Sequence, residues 1–101
     1  MNYDEAEKLV LTHKDKFEFE KFFMLEGQRV RFIKFMIAPE DHENELKSMF
    51  NETKDINVKD YLLHHDLMHK ELKVFIVYQD YPDTLIHPFN INQIRFLSNA
   101  G

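Results

Sequence analysis

The sequence predicts an α+β domain in the order α-β-β-α-α-β-β, a mainly antiparallel sheet with helices packed on one face. Three observations lead there. Two segments, beginning at Asn2 and Asn57, open with capping residues and then carry apolar side chains at helical spacing. Two others, 17–37 and 72–89, are rich in aromatic and β-branched residues and are broken by turn residues. The chain has 101 residues, 44% of them hydrophobic, which is enough for one core and short for two, so residues 1–101 read as a single compact domain.

The first helix is expected over 3–12. Asn2 caps it and Glu5 completes a capping box, while Tyr3, Ala6, Leu9, Val10 and His13 form its inner face. Residues 17–37 read as a β-hairpin. Phe17 and Phe19 alternate with Glu18 and Glu20, and Glu26-Gly27-Gln28 supplies the turn. A three-residue loop sets Phe22 opposite Phe32, Phe19 opposite Phe35 and Glu20 opposite Lys34. A helix over 16–25 is the rival, because Phe19, Phe22 and Phe23 also fit one helical face.

Pro39 starts a second helix that runs to about Asn51, with Glu40, Asp41 and Glu43 in its first turn. The third helix has the clearest start signal. Asn57 is the cap, Asp60 follows at the third helical position, and Ile56 and Tyr61 form a hydrophobic staple. Its periodicity carries it to about Lys70, with Val58, Tyr61, Leu62, His65, Met68 and His69 on one side. The unbroken run 72–78 predicts a central strand, buried on both faces or at an interface. Asp80-Tyr81-Pro82-Asp83 is a turn, and 84–89 returns as an edge strand, since Pro88 lacks an amide hydrogen. Residues 93–98 fit a strand or a helix equally.

Composition excludes several function classes. There is no cysteine, so disulfides, thiolate zinc sites, thiol catalysis and iron–sulfur clusters are out. The two glycines form no phosphate-binding loop. No apolar run reaches the length of a membrane span, and the acidic N-terminus does not read as a signal peptide, so no membrane association and a cytoplasmic location are expected. The net charge of −5 disfavours binding to nucleic-acid backbones.

Four constellations remain. His65 and His69 lie four residues apart with Asp66 between them, in His64-His65-Asp66-Leu67-Met68-His69. On one helix face the two imidazoles can share zinc or another transition metal, with Asp66 orienting or assisting and His42, His64 or His87 as a third ligand. The spacing is that of the zinc-protease H-E-x-x-H motif with Asp for Glu, a methylene shorter, and core histidines show the same spacing. The strand 29–35 interleaves Arg29, Arg31 and Lys34 with Phe32 and Phe35, a pattern that can hold single-stranded nucleic acid. Its plainer explanation is a hairpin strand whose arginines pair with Glu18, Glu20 or the acidic helix. The acidic stretch of Glu40, Asp41 and Glu43 can meet a basic partner or complement a helix dipole. Tyr78 and Tyr81, near a turn, suit a protein interface.

The sequence therefore points to a non-enzymatic protein-interaction module, of the accessory, inhibitor or immunity type. It is expected to present an acidic and aromatic surface (Glu40, Asp41, Glu43, Tyr78, Tyr81) to a protein partner, a basic one being its electrostatic complement, with no catalytic residues and no cofactor. The abundance of large apolar side chains adds the expectation of a homodimer. The alternative is a small transition-metal-binding protein or metal-dependent hydrolase built on His65 and His69.

Overall fold

The structure is a computed structural model that describes residues 1–53 and 56–97. It is an α+β domain with one antiparallel sheet, the class that the sequence predicts. The helices are α1 (Tyr3–His13), α2 (Glu43–Thr53) and α3 (Val58–His64). The strands are β1 (Phe22–Leu25), β2 (Gln28–Pro39), β3 (Leu72–Asp80), β4 (Asp83–Pro88) and β5 (Ile94–Phe96), in the spatial order β4-β3-β2-β1-β5. Among the described residues no helix is long and apolar enough to cross a membrane.

α1 forms where its caps place it. The Asn2 side chain accepts from the Glu5 amide at 2.8 Å, and the Glu5 carboxylate accepts from the Asn2 amide at 3.0 Å. Each bond satisfies an amide that the first helical turn leaves without a partner. β3 is an interior strand, as its apolar run implies, buried from Val74 to Val77 and flanked by β2 and β4. β4 lies at the sheet edge, as Pro88 requires. Residues 94–96 form a strand, since their pairing with β1 satisfies backbone groups that a helix of this length would leave open.

A bulge between Phe32 and Lys34 organises the two faces of the sheet. Strand side chains alternate, so one extra residue moves every later side chain to the opposite face. Before the bulge Val30 and Phe32 point into one core; after it Met36 and Ala38 point into the other. The core that takes Met36 joins it, with Phe75 and Val77, to Leu46 and Phe50 of α2 and to Val58 and Leu62 of α3. Burial of each of these large side chains contributes roughly 1.5–3 kcal/mol. Both α2 and α3 thus lie on one face. The other core is aromatic. Phe17 sits at its centre, with ring centroids 5.0–5.6 Å from those of Phe23, Phe32, Phe35 and Phe96. The end of α1 reaches this face, where His13 meets the edge of Phe89 at 5.1 Å.

Four expectations are corrected. Residues 17–21 are neither strand nor helix: a 3₁₀ turn (Lys14–Lys16) leads to buried Phe17, Glu20 turns the chain at φ 66°, and the strand begins at Phe22. The hairpin register is also one residue away from expectation. Phe22 faces Arg31, Phe23 faces Val30, and Leu25 faces Gln28 across a two-residue turn. Glu26 at φ 49° and Gly27 at φ 83° give the turn two positive φ angles, the form whose twist matches a two-residue hairpin. Pro39 ends β2 and caps a 3₁₀ turn (Glu40–His42), so α2 starts at Glu43.

The fourth correction bears on function. α3 ends at His64, not near Lys70. Asp66 takes φ 54°, and the Leu67 amide donates back to the Leu62 carbonyl at 2.8 Å. The Asp66 amide donates to Leu63 at 3.3 Å. This pair of bonds is the Schellman arrangement, completed by contact between Leu62 and Leu67 in the core. A continued helix would turn Leu67 to the wet side; ending it at His64 buries Leu67 to 7% exposure.

Candidate functional site

The histidine run no longer forms a helical pair. His65 caps the end of α3 and His69 lies beyond the turn, so the i, i+4 face on which a shared metal depends is absent. His65, Asp66 and His69 are all exposed, and the His69 Nδ1 stands 4.0 Å from the Asp66 carboxylate. His65 stacks on Tyr61 with ring centroids 4.5 Å apart. Among the described residues no group of three or more histidine or carboxylate side chains is arranged to hold a metal.

The expected acidic and aromatic surface is split between opposite ends of the sheet. Glu40 and Asp41 lie where β2 ends and β3 begins, and both meet cations. Lys73 contacts Glu40 at 3.0 Å, while Lys70 and His42 contact Asp41 at 2.9 and 2.8 Å. The hydrogen bond from Lys70, then that from His42, lowers the Asp41 pKa below the ordinary aspartate value. Glu43 opens α2 beside them, half-buried. Tyr78 and Tyr81 belong to the far end, about 20 and 30 Å from Leu72 at about 3.3 Å per residue. Tyr78 is half-buried; desolvation, then the charges of Asp80 and Glu26, raises its pKa. Tyr81 is 88% exposed in the β3–β4 turn.

That far end holds a surface that sequence reasoning did not assemble. Phe23, Leu25, Val30 and Ile94 point into the aromatic core. Their neighbours Phe22, Met24, Arg29, Arg31 and Arg95 therefore project from the opposite face, where they are exposed or half-buried. The Arg29 and Arg31 guanidinium carbons lie 4.2 and 4.9 Å from the Phe22 ring centre, so both arginines stack on one exposed ring. Gln79, Asp80 and Tyr81 complete a shallow depression of about 300 Å³. These are all three arginines of the chain. Among the described residues none of them forms an ion pair. Asp80, the carboxylate nearest at hand, accepts instead from the Gln28 side chain.

The expected pairing of Arg29 and Arg31 with Glu18, Glu20 or the acidic helix is thus not found. Interleaving on one face is not found either: Phe32 and Phe35 turn into the aromatic core while the arginines face outward. The sequence signal was present in part, as the alternation of Arg29, Val30 and Arg31. Arg95 lies 64 positions away from Arg31 and joins them only through the pairing of β5 with β1.

Comparison with protein-family models, with curated proteins and with solved structures finds no significant match to this chain.

Proposed function

We propose that this chain is a non-enzymatic protein-interaction module whose binding surface is the platform of Phe22, Met24, Arg29, Arg31, Arg95 and Tyr81. The observation that carries this reading is that all three arginines share one face of the sheet without a carboxylate partner among the described residues, and that Arg29 and Arg31 stack on one exposed aromatic ring. Phenylalanine, tyrosine, methionine and arginine are the residues enriched in protein interfaces, whereas lysine and glutamate are depleted there. Arginine and tyrosine also dominate among residues whose truncation costs most binding energy.

The partner this surface suits is acidic, not basic. Glu40 and Asp41 already meet cations, so they offer a basic partner less than their formal charge suggests. A folded protein is favoured over nucleic acid for two reasons. The net charge of −5 repels a long phosphate backbone. The phenylalanines of β2 that would stack on bases are turned inward. A second copy of the chain, itself acidic, is one partner of this chemistry, which keeps the homodimer within the proposal.

Site-specific photo-crosslinking tests this. A photoreactive side chain at position 22 is expected to give a discrete protein adduct in cells, diminished by added salt in extracts and lost in the Arg31→Glu variant. The same probe at Leu63, exposed on α3, is the control. An adduct that disappears on nuclease treatment, or one that forms only from position 63, would overturn the proposal. Native mass spectrometry of the uncrosslinked chain reports in the same preparation whether the partner is a second copy.

A further inference from the structure

The long strand β2 is only partly covered by β1. Their pairing spans Gln28–Arg31. It is extended by the Phe32 amide, which donates to Lys21 at 2.9 Å, and by the Phe32 carbonyl, which accepts from Glu20 at 2.8 Å. From Ile33 to Pro39 no strand lies on that side among the described residues. The Phe89 amide donates to the Val74 carbonyl at 2.8 Å, so Val74 directs its peptide groups toward the β4 side. Ile37, opposite Val74, then directs its own amide and carbonyl toward the open side, and Phe35, two residues earlier, does the same. Unpaired groups in such a row form a template for another strand.

This edge is the floor of a groove of about 640 Å³. One wall is α1, with Val10, Leu11 and Lys14; the other is the start of α3, with Val58 and Lys59. The groove closes where the Lys59 ammonium stands 5.2 Å from the Tyr3 ring centre. Its volume is that of a pocket for a drug-sized ligand, which corresponds to a few residues of extended chain and not to the edge of a folded sheet. Among the described residues Lys14 and Lys59 line it beside the carboxylate of Glu7, while Lys34 donates to the Ile56 carbonyl at 2.7 Å; the chain as a whole is acidic. Lys14 and Lys59 form no ion pair among the described residues.

We propose that this groove docks an extended acidic peptide, which adds to the sheet as a short strand on Phe35 and Ile37. Backbone bonds to β2 supply the affinity; Val10 and Leu11 receive its apolar side chains, and Lys14 and Lys59 select its acidic ones. The site is separate from the arginine platform and does not depend on it.

The test is nuclear magnetic resonance titration of the full chain with a blocked octapeptide of alternating glutamate and valine. Its lysine–valine counterpart is the control. The Phe35 and Ile37 amides are expected to shift, and their hydrogen exchange to slow about tenfold or more. Lys14→Glu combined with Lys59→Glu should weaken binding about tenfold or more. Ile37→Pro removes the outward amide without touching a bond to β3 and should abolish binding, while Arg31→Glu should leave it unchanged. Should the proline variant fail to fold, the double lysine variant decides. Equal binding of the lysine–valine peptide, shifts confined to the Phe22 end, no shift at millimolar peptide, or a dimer that already protects Phe35 and Ile37 would each overturn the proposal.

Discussion

The two ends of the sheet treat charge in opposite ways. Where β2 passes into α2, Glu40 and Asp41 are held at 3.0 and 2.9 Å from Lys73 and Lys70. At the hairpin end, Arg29 and Arg31 lie against a phenylalanine ring and, among the described residues, meet no carboxylate. The linear sequence suggests the reverse, since the densest run of charge is the acidic one. Charge density along the chain measures what is present locally, whereas the pairing of strands decides what is neutralised. Glu40 and Asp41, folded against Lys73 and Lys70, have little field left to offer. Arg29 and Arg31, brought beside an exposed ring, retain theirs.

The largest effect that separates the two ends should come from beneath the arginine platform. Phe17 touches the rings of Phe23, Phe32, Phe35, Phe89 and Phe96, and the strands that carry the arginines rest on this cluster. Phe17→Ala should cost about 3–5 kcal/mol in urea unfolding. A loss under about 1 kcal/mol would mean that the cluster collapses around the gap and does not hold the platform in place. Next comes the combined Arg29→Glu and Arg31→Glu variant. It should lower crosslinking from position 22 by about tenfold or more while leaving unfolding stability within about 0.5 kcal/mol. A large stability loss here would show that the arginines are structural, and the contrast between the ends would fail.

Gly27→Ala should cost about 1 kcal/mol. An added Cβ meets nothing within 4 Å, so the cost is purely that of holding φ at 83°. Gly27→Asn should cost less, because asparagine tolerates this conformation better. The smallest effect belongs to the acidic end. The Asp41 pKa is lowered by Lys70 and then by His42, so its contribution is present above the ordinary aspartate pKa and is lost as pH falls through the lowered value. Lys70→Ala should move the Asp41 titration, followed by carbon resonances of its carboxylate, back up toward the ordinary range. An unmoved titration would show that Lys70 does not neutralise this end.

Several elements were legible because they depend on neighbours in sequence. The capping box of Asn2 and Glu5, the cap at Asn57 and the exclusion of Pro88 from an interior strand are all settled within a few residues. The interaction surface was legible only as Arg29 and Arg31. A three-residue loop sets Phe22 opposite Phe32, whereas the two-residue turn sets it opposite Arg31, and a slip of one residue reverses every side chain of a strand.

By itself, then, the sequence determined the class of the fold, the starts of α1 and α3, the interior place of β3 and the absence of thiol chemistry. Each follows from local backbone satisfaction or from composition. Only the tertiary structure decided where α3 ends, on which face the arginines lie and that Arg95 joins them. Asp66 accepts a left-handed conformation because Leu67 thereby reaches the core, and no local preference announces that exchange. The bulge between Phe32 and Lys34 likewise arises because β2 must feed two cores on opposite faces, a demand set by helices and strands remote in sequence.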